Sequence, residues 1–336
     1  MVIGTCREVG TGTSPGRTAS VRGGVPIEVP VTTVNMACPS GIKALELATM
    51  RLKLGEAKFV LVGGMESMST MPYLLKDVRW KGFRMGNKEI LDGWADATDP
   101  LTGQGMGMTA ENVAEKYGIS REEQDAFAAG SQEKTSNAWD AGAFANEVVP
   151  IEVGGEAVAK DETFRWPVTL EKMAKLRPVF KKDGVVTAAN ACAMADGAAF
   201  MLLTTDEVAK AEGLPVMAEL AAFSQCAVEP ATMGEGPGKA IPMLLEENGL
   251  TAASPDLYEV NEAFAAQVLA NERVVEWDRA KLNVNGGAIA LGHPTGCTGV
   301  RITVTLIHSL INRGLSTGVA SLCGGGGVAM AALIRR

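Results

Sequence analysis

The feature that most limits what this chain can fold into is a plan that occurs twice. Near the start, a β-branched stretch at residues 26–37 runs into Cys38. Pro39-Ser40-Gly41 then opens a helical run, Ile42 to Leu54, which stops at Gly55. The apolar run Lys58 to Gly64 follows and reads as a buried strand. Proline just inside the start and glycine just past the end is the usual asymmetry of helix termini. Near the C-terminus, Gly296-Cys297-Thr298-Gly299 opens a helix through Ile302, Leu306 and Leu310 that ends near Gly314. The strand Gly318 to Leu322 then runs into Cys323 and four glycines. The layout, more than residue identity, points to a diverged duplication. Strands alternating with helices predict α/β layers around buried sheets.

Between the two plans, residues 67–170 change character. They carry Trp80, Trp94, Trp139 and Trp166, many charges and several Gly/Pro/Asp clusters. Met106 to Tyr117 and Ser120 to Ala141 are predicted helices, and Ser120-Arg-Glu-Glu123 has the form of a capping box. This region is predicted to be an inserted, loop-rich excursion, and Asp183 to Leu203 to return to the core.

Composition removes several functions. With 31 Lys+Arg against 39 Asp+Glu the net charge is −8. That balance argues against sequence-independent nucleic-acid binding. The apolar stretch Val319 to Ile334 is broken by Gly324–Gly327 and is too short to span a bilayer. No basic segment followed by a long apolar run marks a signal peptide at the N-terminus. The six cysteines show no CxxC spacing, so neither a disulfide framework nor a metal site is expected.

Four segments carry chemistry. Cys38 at a strand-to-helix turn would feel the positive helix end and nearby N–H groups, which favour the thiolate; a depressed pKa is the expectation. The same N–H groups would suit an oxyanion. The bland alternative is a buried cysteine at a cap. His293 lies on the glycine-rich loop Asn285 to Gly296, between Gly292 and Pro294, whereas His308 sits among apolar helical residues and reads as structural. Cys323 places a second thiol beside unencumbered backbone N–H groups. Asn261-Glu262-Ala263-Phe264 follows the strand-like Leu257–Val260, so Asn261 emerges at a strand end, where ligands of open α/β sheets bind. The glycine runs at 10–16 and 234–239 have neither dinucleotide nor P-loop spacing.

Taken in order, Val34-Asn35-Met36-Ala37-Cys38-Pro39-Ser40-Gly41, Gly63-Gly64-Met65-Glu66-Ser67-Met68, Asn261-Glu262-Ala263-Phe264, Gly292-His293-Pro294 and Cys323-Gly324-Gly325-Gly326 resemble the thiolase family. Thr109-Ala110-Glu111-Asn112 and Asp196-Gly197-Ala198-Ala199 are further family-like stretches. The resemblance covers nearly the whole chain. It implies an α/β, duplicated layered fold (α-β-α-β-α) with an inserted loop domain. Residues 1–67 with 195–215 would form the N-terminal half, 68–194 the loop domain and 216–336 the C-terminal half. It also implies 3-ketoacyl-CoA cleavage or acetyl-CoA condensation through an acyl-Cys38 intermediate. His293 would take the Cys38 proton, Cys323 would handle the α-carbon proton, and Asn261 would position a water. The oxyanions would be held by the Cys38 and Gly325 N–H groups and by His293. Coenzyme A is the implied cosubstrate, with Arg165 near the adenine, Ala188 and Cys192 near the pantetheine, and Met106, Ala263 and Phe264 near the acyl end. No metal or covalently bound cofactor is implied. The expected state is a cytoplasmic homodimer or homotetramer engaged in fatty acid metabolism, with no nucleic-acid or membrane partner.

Three departures stand out. Cys192 occupies a position where many relatives have serine. Gly105 stands where acetoacetyl-specific members place a histidine, which leans toward a broader acyl range. The family also carries a strand–helix unit, about 30 residues or more, before the strand represented here by Met1 to Arg7. Ketoacyl synthases and hydroxymethylglutaryl-CoA synthases share the fold and a cysteine nucleophile. The former use two histidines; a single plausible histidine with a second cysteine favours the thiolase reading. The non-enzyme alternative is a truncated, inactive CoA-binding or subunit-interaction protein.

Overall fold

The duplication is realised as two four-stranded mixed sheets that sandwich a pair of helices. The structure is a computed structural model and describes residues 1–93 and 98–336; Trp94 lies outside them. The first sheet has the spatial order Thr32–Val34, Val2–Gly4, Phe59–Glu66, Gly197–Thr204, the last strand antiparallel to its neighbour. The second has the order Leu257–Val260, Thr317–Gly324, Val328–Arg335, Glu219–Ala227, with the Val328–Arg335 strand antiparallel to both its neighbours. The helices Ser40–Lys53 and Thr295–Arg313 lie between the sheets. Helices Gly236–Glu247 and Ala265–Val275 cover the outer face of the second sheet, and Pro15–Arg22 packs on the outer face of the first. This is the expected α-β-α-β-α layering.

The strand Val328–Arg335 explains why both faces of the second sheet are dry. Ala329, Ala331 and Leu333 face the outer helices, and Met330, Ala332 and Ile334 face the central pair. A strand buried on both sides is apolar at every position, not alternately. Along Thr295–Arg313, Ile302, Leu306 and Leu310 are fully buried. Each contributes about 1.5–3 kcal/mol by leaving water.

The central helices cross at glycine. A Cβ on Gly299 would lie 2.4 Å from the Ile42 nitrogen, and one on Gly41 would lie 2.7 Å from the Val300 nitrogen. Nothing larger than hydrogen fits at either position, so the two backbones touch. Glu66, at the end of its strand, bridges the halves from inside. Its carboxylate accepts from the Cys6 and Arg7 N–H groups (3.0 and 3.2 Å), from Thr295 Oγ1 (2.8 Å) and from the Gly296 N–H (2.9 Å). An anion there also meets the positive end of the Thr295–Arg313 helix.

Some expectations need correction. The strand foreseen over 26–37 is only Thr32–Val34. Pro26 and Pro30 cannot donate to a ladder, and the Val29 N–H closes a turn onto the Pro26 carbonyl instead. Residues 183–203 do return to the core, with Val186, Thr187 and Asn190 buried, although only Gly197–Thr204 joins a sheet and the stretch before it carries turns and side-chain hydrogen bonds. The excursion does hold the helices Met106–Tyr117 and Arg121–Asp140, the second with both hydrogen bonds of the capping box.

The halves differ at one edge. In the second sheet, Val328–Arg335 is paired on both sides. Its counterpart Gly197–Thr204 pairs with Phe59–Glu66 and, among the described residues, with no strand on its other side. Phe200 and Leu202 on this strand are exposed.

The glycine crossing yields a direct test. Gly299→Ala must push the central helices apart and is expected to cost about 1–3 kcal/mol of stability, measured by urea unfolding. A change below about 0.5 kcal/mol would mean that the crossing is not tight.

Candidate active site

The turn before the first central helix is built to present Cys38. Ala37 adopts a left-handed conformation, φ 54°, which a residue with a Cβ rarely takes. Three side-chain hydrogen bonds hold it there. The Ala37 N–H donates to Asn35 Oδ1 (3.0 Å), the Met36 N–H to Ser40 Oγ (2.8 Å), and Ser40 Oγ to the Ala37 carbonyl (2.5 Å). The helix starts at Ser40, so Cys38 sits just outside its N-terminus.

The second thiol arrives on the strand Thr317–Gly324. Cys323 is buried with Ala110, Val186, Met233, Ala263 and Phe264, and Met106 packs against the same cluster. The next residue touches the nucleophile turn: a Cβ on Gly324 would lie 3.2 Å from the Cys38 nitrogen and 2.5 Å from Pro39 Cδ. Asn261 joins from the neighbouring strand, its N–H donating to the Ser321 carbonyl (2.9 Å), and its Nδ2 stands 3.5 Å from His293 Nε2.

The hydrogen-bond network assigns the histidine tautomer. Thr298 Oγ1 lies 2.7 Å from His293 Nδ1 and donates its single proton to the Pro294 carbonyl (2.9 Å). It therefore accepts from Nδ1–H, which leaves the Nε2 lone pair as the acceptor. Asn261 Oδ1 is buried without a protein partner and remains available to a water. Glu262 of the same motif is structural: its carboxylate takes Ser131 Oγ (2.6 Å), Asn283 Nδ2 (2.8 Å) and the Ile289 N–H (3.2 Å). It thereby ties the strand end to the excursion and to the histidine loop.

His293 and Cys323 are buried and Cys38 is partly buried, and this runs against one expectation. Burial pushes the Cys38 thiol well above its ordinary pKa, with Cys6 and Cys323 adding to the shift and Arg7 opposing it. Desolvation outweighs the helix end here. Cys323 is pushed up to about 12 by burial. The imidazole of His293 is pushed down to about 3, by burial first and by Arg301 second. Both thiols rest protonated and the histidine rests neutral.

The CoA-contact positions divide. Met106, Ala263 and Phe264 line the Cys323 cluster, and the Cys192 N–H donates to the Ala263 carbonyl (3.0 Å). Arg165 and Ala188 are exposed and lie outside that cluster. His308 is partly buried on the far part of the helix, with its pKa lowered by burial. Among the described residues no group of three His, Cys, Asp or Glu side chains has metal-binding geometry, and no helix is long and apolar enough to cross a membrane.

Thr298, Asp99 and Arg301 were not singled out in the sequence. For Thr298 a signal existed, since a hydroxyl in the first turn after Gly-His-Pro is within reach of the ring. Arg301 is two residues past Gly299 on a helix otherwise read for its apolar face.

Similarity to known proteins places the chain in a family. The family model for the thiolase N-terminal domain matches residues 1–207, and the model for the thiolase C-terminal domain matches residues 214–336. An acetyl-CoA acetyltransferase of Pseudomonas aeruginosa is 46% identical over 343 aligned positions, covering 100% of this chain and 87% of that one. A probable acetyl-CoA acyltransferase of Staphylococcus epidermidis is 47% identical, covering 100% and 86%. Among solved structures, the Bacillus anthracis acetyl-CoA acetyltransferase superposes with a TM-score of 0.95 at 44% identity, covering 99% of this chain and 86% of that one. The human mitochondrial 3-ketoacyl-CoA thiolase in complex with CoA gives 0.96 at 42%, covering 99% and 85%. The chain belongs to the thiolase family and is an acyl-CoA acyltransferase of that type.

Buried Glu259, two residues before Asn261, supplies a pH test. Burial pushes its carboxyl up to about 8, against the pull of Arg301. A carboxyl that ionises near 4.5 in the unfolded chain and near 8 in the folded one binds more protons when folded between those values. Its contribution to stability is full below pH 4.5 and is lost as pH rises through 8. Glu259→Gln is expected to flatten the fall in unfolding free energy between pH 5 and 8, measured by urea titration at each pH. An unchanged slope would contradict the assignment.

Proposed function

We propose that the chain interconverts a 3-ketoacyl-CoA plus CoA with a shortened acyl-CoA plus acetyl-CoA, using Cys38, His293, Cys323 and Asn261. The observation that carries the reading is the convergence of the two thiol-bearing segments, Gly324 after Cys323 touching the Cys38 turn, with a histidine whose Nε2 is left as an acceptor beside Asn261. A thiol that rests protonated needs a base at the moment of attack, and His293 Nε2 is that base.

In the cleavage direction, Cys38 Sγ attacks the 3-keto carbon while its proton passes to His293. The C2–C3 bond then breaks, its electron pair forming the enolate of acetyl-CoA. Cys323 Sγ–H protonates C2, and acetyl-CoA leaves. The thiol of an incoming CoA attacks the acyl-Cys38 thioester and gives its proton to the Cys323 thiolate. The histidine returns its proton to Cys38. In condensation Cys323 removes the α-proton instead. The acyl oxyanion is held by the Cys38 and Gly325 N–H groups. The enolate oxygen meets His293 and a water that donates its other hydrogen to Asn261 Oδ1. Both thioesters supply the chemistry themselves, as good acyl donors with acidic α-protons; coenzyme A is a cosubstrate. Arg165, Ala188 and Cys192 are proposed along its nucleotide and pantetheine arms, and Met106, Ala263 and Phe264 at the acyl end.

Gly105 favours a broad acyl range, because a Cβ there would meet nothing within 4 Å. Among the described residues the edges Gly197–Thr204 and Thr32–Val34 have no outer strand, which supports assembly as a homodimer or homotetramer, since unpaired edges invite partners. A cytoplasmic role in fatty acid metabolism accompanies this reading.

Two experiments test it. Incubation with acetyl-CoA followed by peptide mass spectrometry is expected to locate an acetyl group on Cys38. The adduct should be absent in Cys38→Ala and present in Cys323→Ala, whose turnover should fall by at least about a hundredfold. A folded parent protein without the adduct would favour a binding-only protein. CoA-dependent cleavage across ketoacyl lengths is expected to extend beyond four carbons, and Gly105→His to shift the preference toward the shortest substrate. A profile unaltered by Gly105→His would remove Gly105 from the acyl site.

A further inference from the structure

Asp99 sits in the inserted excursion, far from the catalytic residues in sequence, yet its side chain is buried to 2% exposure. Each oxygen of its carboxylate takes a backbone N–H. Oδ1 accepts from Leu101 (2.8 Å), within its own turn, and Oδ2 accepts from Gly326 (2.6 Å), 227 residues away. The backbone around Asp99 is closed as well: its N–H donates to the Gln104 carbonyl (2.8 Å), and its carbonyl accepts from the Gly103 N–H (2.7 Å). The turn is anchored beyond this, because Asn112 Nδ2 donates to both Gln104 Oε1 (2.9 Å) and the Ala231 carbonyl (2.8 Å).

The partner of Asp99 is the part of the site most in need of restraint. Gly324–Gly327 has no side chains to pack, and Gly326 and Gly327 both lie at positive φ, 80° and 77°. Glycine peptides reorient at little cost. A peptide unit is planar, so fixing the Gly326 N–H fixes the plane that it shares with the Gly325 carbonyl. Hydrogen bonds to a carboxylate are short and about twice as strong as neutral ones. The same turn leads into Met106, whose Sδ lies 3.6 Å from where a Gly325 Cβ would be. One carboxylate thus joins the acyl-end wall to the glycine that follows the second thiol.

We propose that Asp99 is a positioning residue for catalysis: by holding the Gly325–Gly326 peptide on one side of the Gly325 Cα, while strand pairing holds Gly324 on the other, it restrains the adjoining Gly324–Gly325 peptide so that its Gly325 N–H meets the acyl oxygen of substrate and of the Cys38 adduct. The proposal rests on the reading of Gly325 as an oxyanion donor given above. A donor that is misplaced is lost only in the transition state, so the effect falls on kcat and not on CoA affinity.

The test compares Asp99→Ala, Asp99→Asn and the parent in CoA-dependent ketoacyl cleavage, with acetylation of Cys38 followed by mass spectrometry and folding followed by thermal unfolding. Asp99→Ala is expected to lose at least about tenfold in kcat per folded molecule, with KM for CoA within about twofold. Asp99→Asn keeps one acceptor oxygen and is expected to recover part of that loss. A purely structural latch would lower the melting temperature and leave kcat per folded molecule unchanged. Should Asp99→Ala fail to fold, Asp99→Asn decides: a several-fold fall in kcat at an unaltered melting temperature supports the proposal, and a kcat within twofold of the parent overturns it. A parent that acetylates Cys38 and turns over, beside an Asp99→Ala protein that does both equally well, overturns the proposal alone. A parent without acetylation overturns the underlying reading, and the proposal with it.

Discussion

The backbone-to-backbone crossing of the two central helices at Gly41 and Gly299 is the constraint from which the site follows. Cys38 lies three residues before the first glycine and His293 six residues before the second. Bringing those glycines into contact brings the two loops that precede the helices to the same end of the sandwich. The sheets then deliver the remaining groups. Cys323 is on the strand that follows the second helix, and Asn261 is on the strand beside it, one ladder bond from Ser321. Glu66 fixes the approach angle by accepting hydrogen bonds from both halves. A duplicated fold has an internal interface whose two sides occupy equivalent positions, and here the proposed catalytic residues gather at that interface.

Burial sets the chemistry within this frame. A dry pocket penalises every charged form, so thiols rise and the imidazole falls. Such a site relies on proton transfer at the moment of attack, and any oxyanion formed inside it is stabilised more by an N–H than it would be in water. The helix end beside Cys38 then acts on the transition state more than on the resting thiol. Burial thus reverses the pKa lowering expected of the turn, and the proposed nucleophile role of Cys38 calls on a base instead.

Legibility followed physical locality. The helices Ser40–Lys53 and Thr295–Arg313 and the strands after them were visible because apolar periodicity and terminal Pro and Gly are local signals. The capping box at Ser120 was visible for the same reason. β-Branched residues over 26–37 suggest a longer strand than Thr32–Val34, because Pro26 and Pro30 remove ladder donors that the side-chain pattern does not register. Asp99 was invisible, since an Asp-Pro-Leu-Thr-Gly turn looks like any surface turn until its carboxylate is seen to reach Gly326. Motifs carry Cys38, His293, Cys323 and Asn261; the structure adds the hydrogen bond of Thr298 to His293 Nδ1 and the long-range bonds by which Glu66 joins the halves.

The central claim is a division of labour, with one sulfur carrying the acyl group and the other exchanging the α-proton. Deuterium uptake into the methyl group of acetyl-CoA in heavy water, followed by mass spectrometry, reads the second function directly. The account predicts uptake with the parent enzyme and its loss in Cys323→Ala. Undiminished uptake in that variant would contradict it.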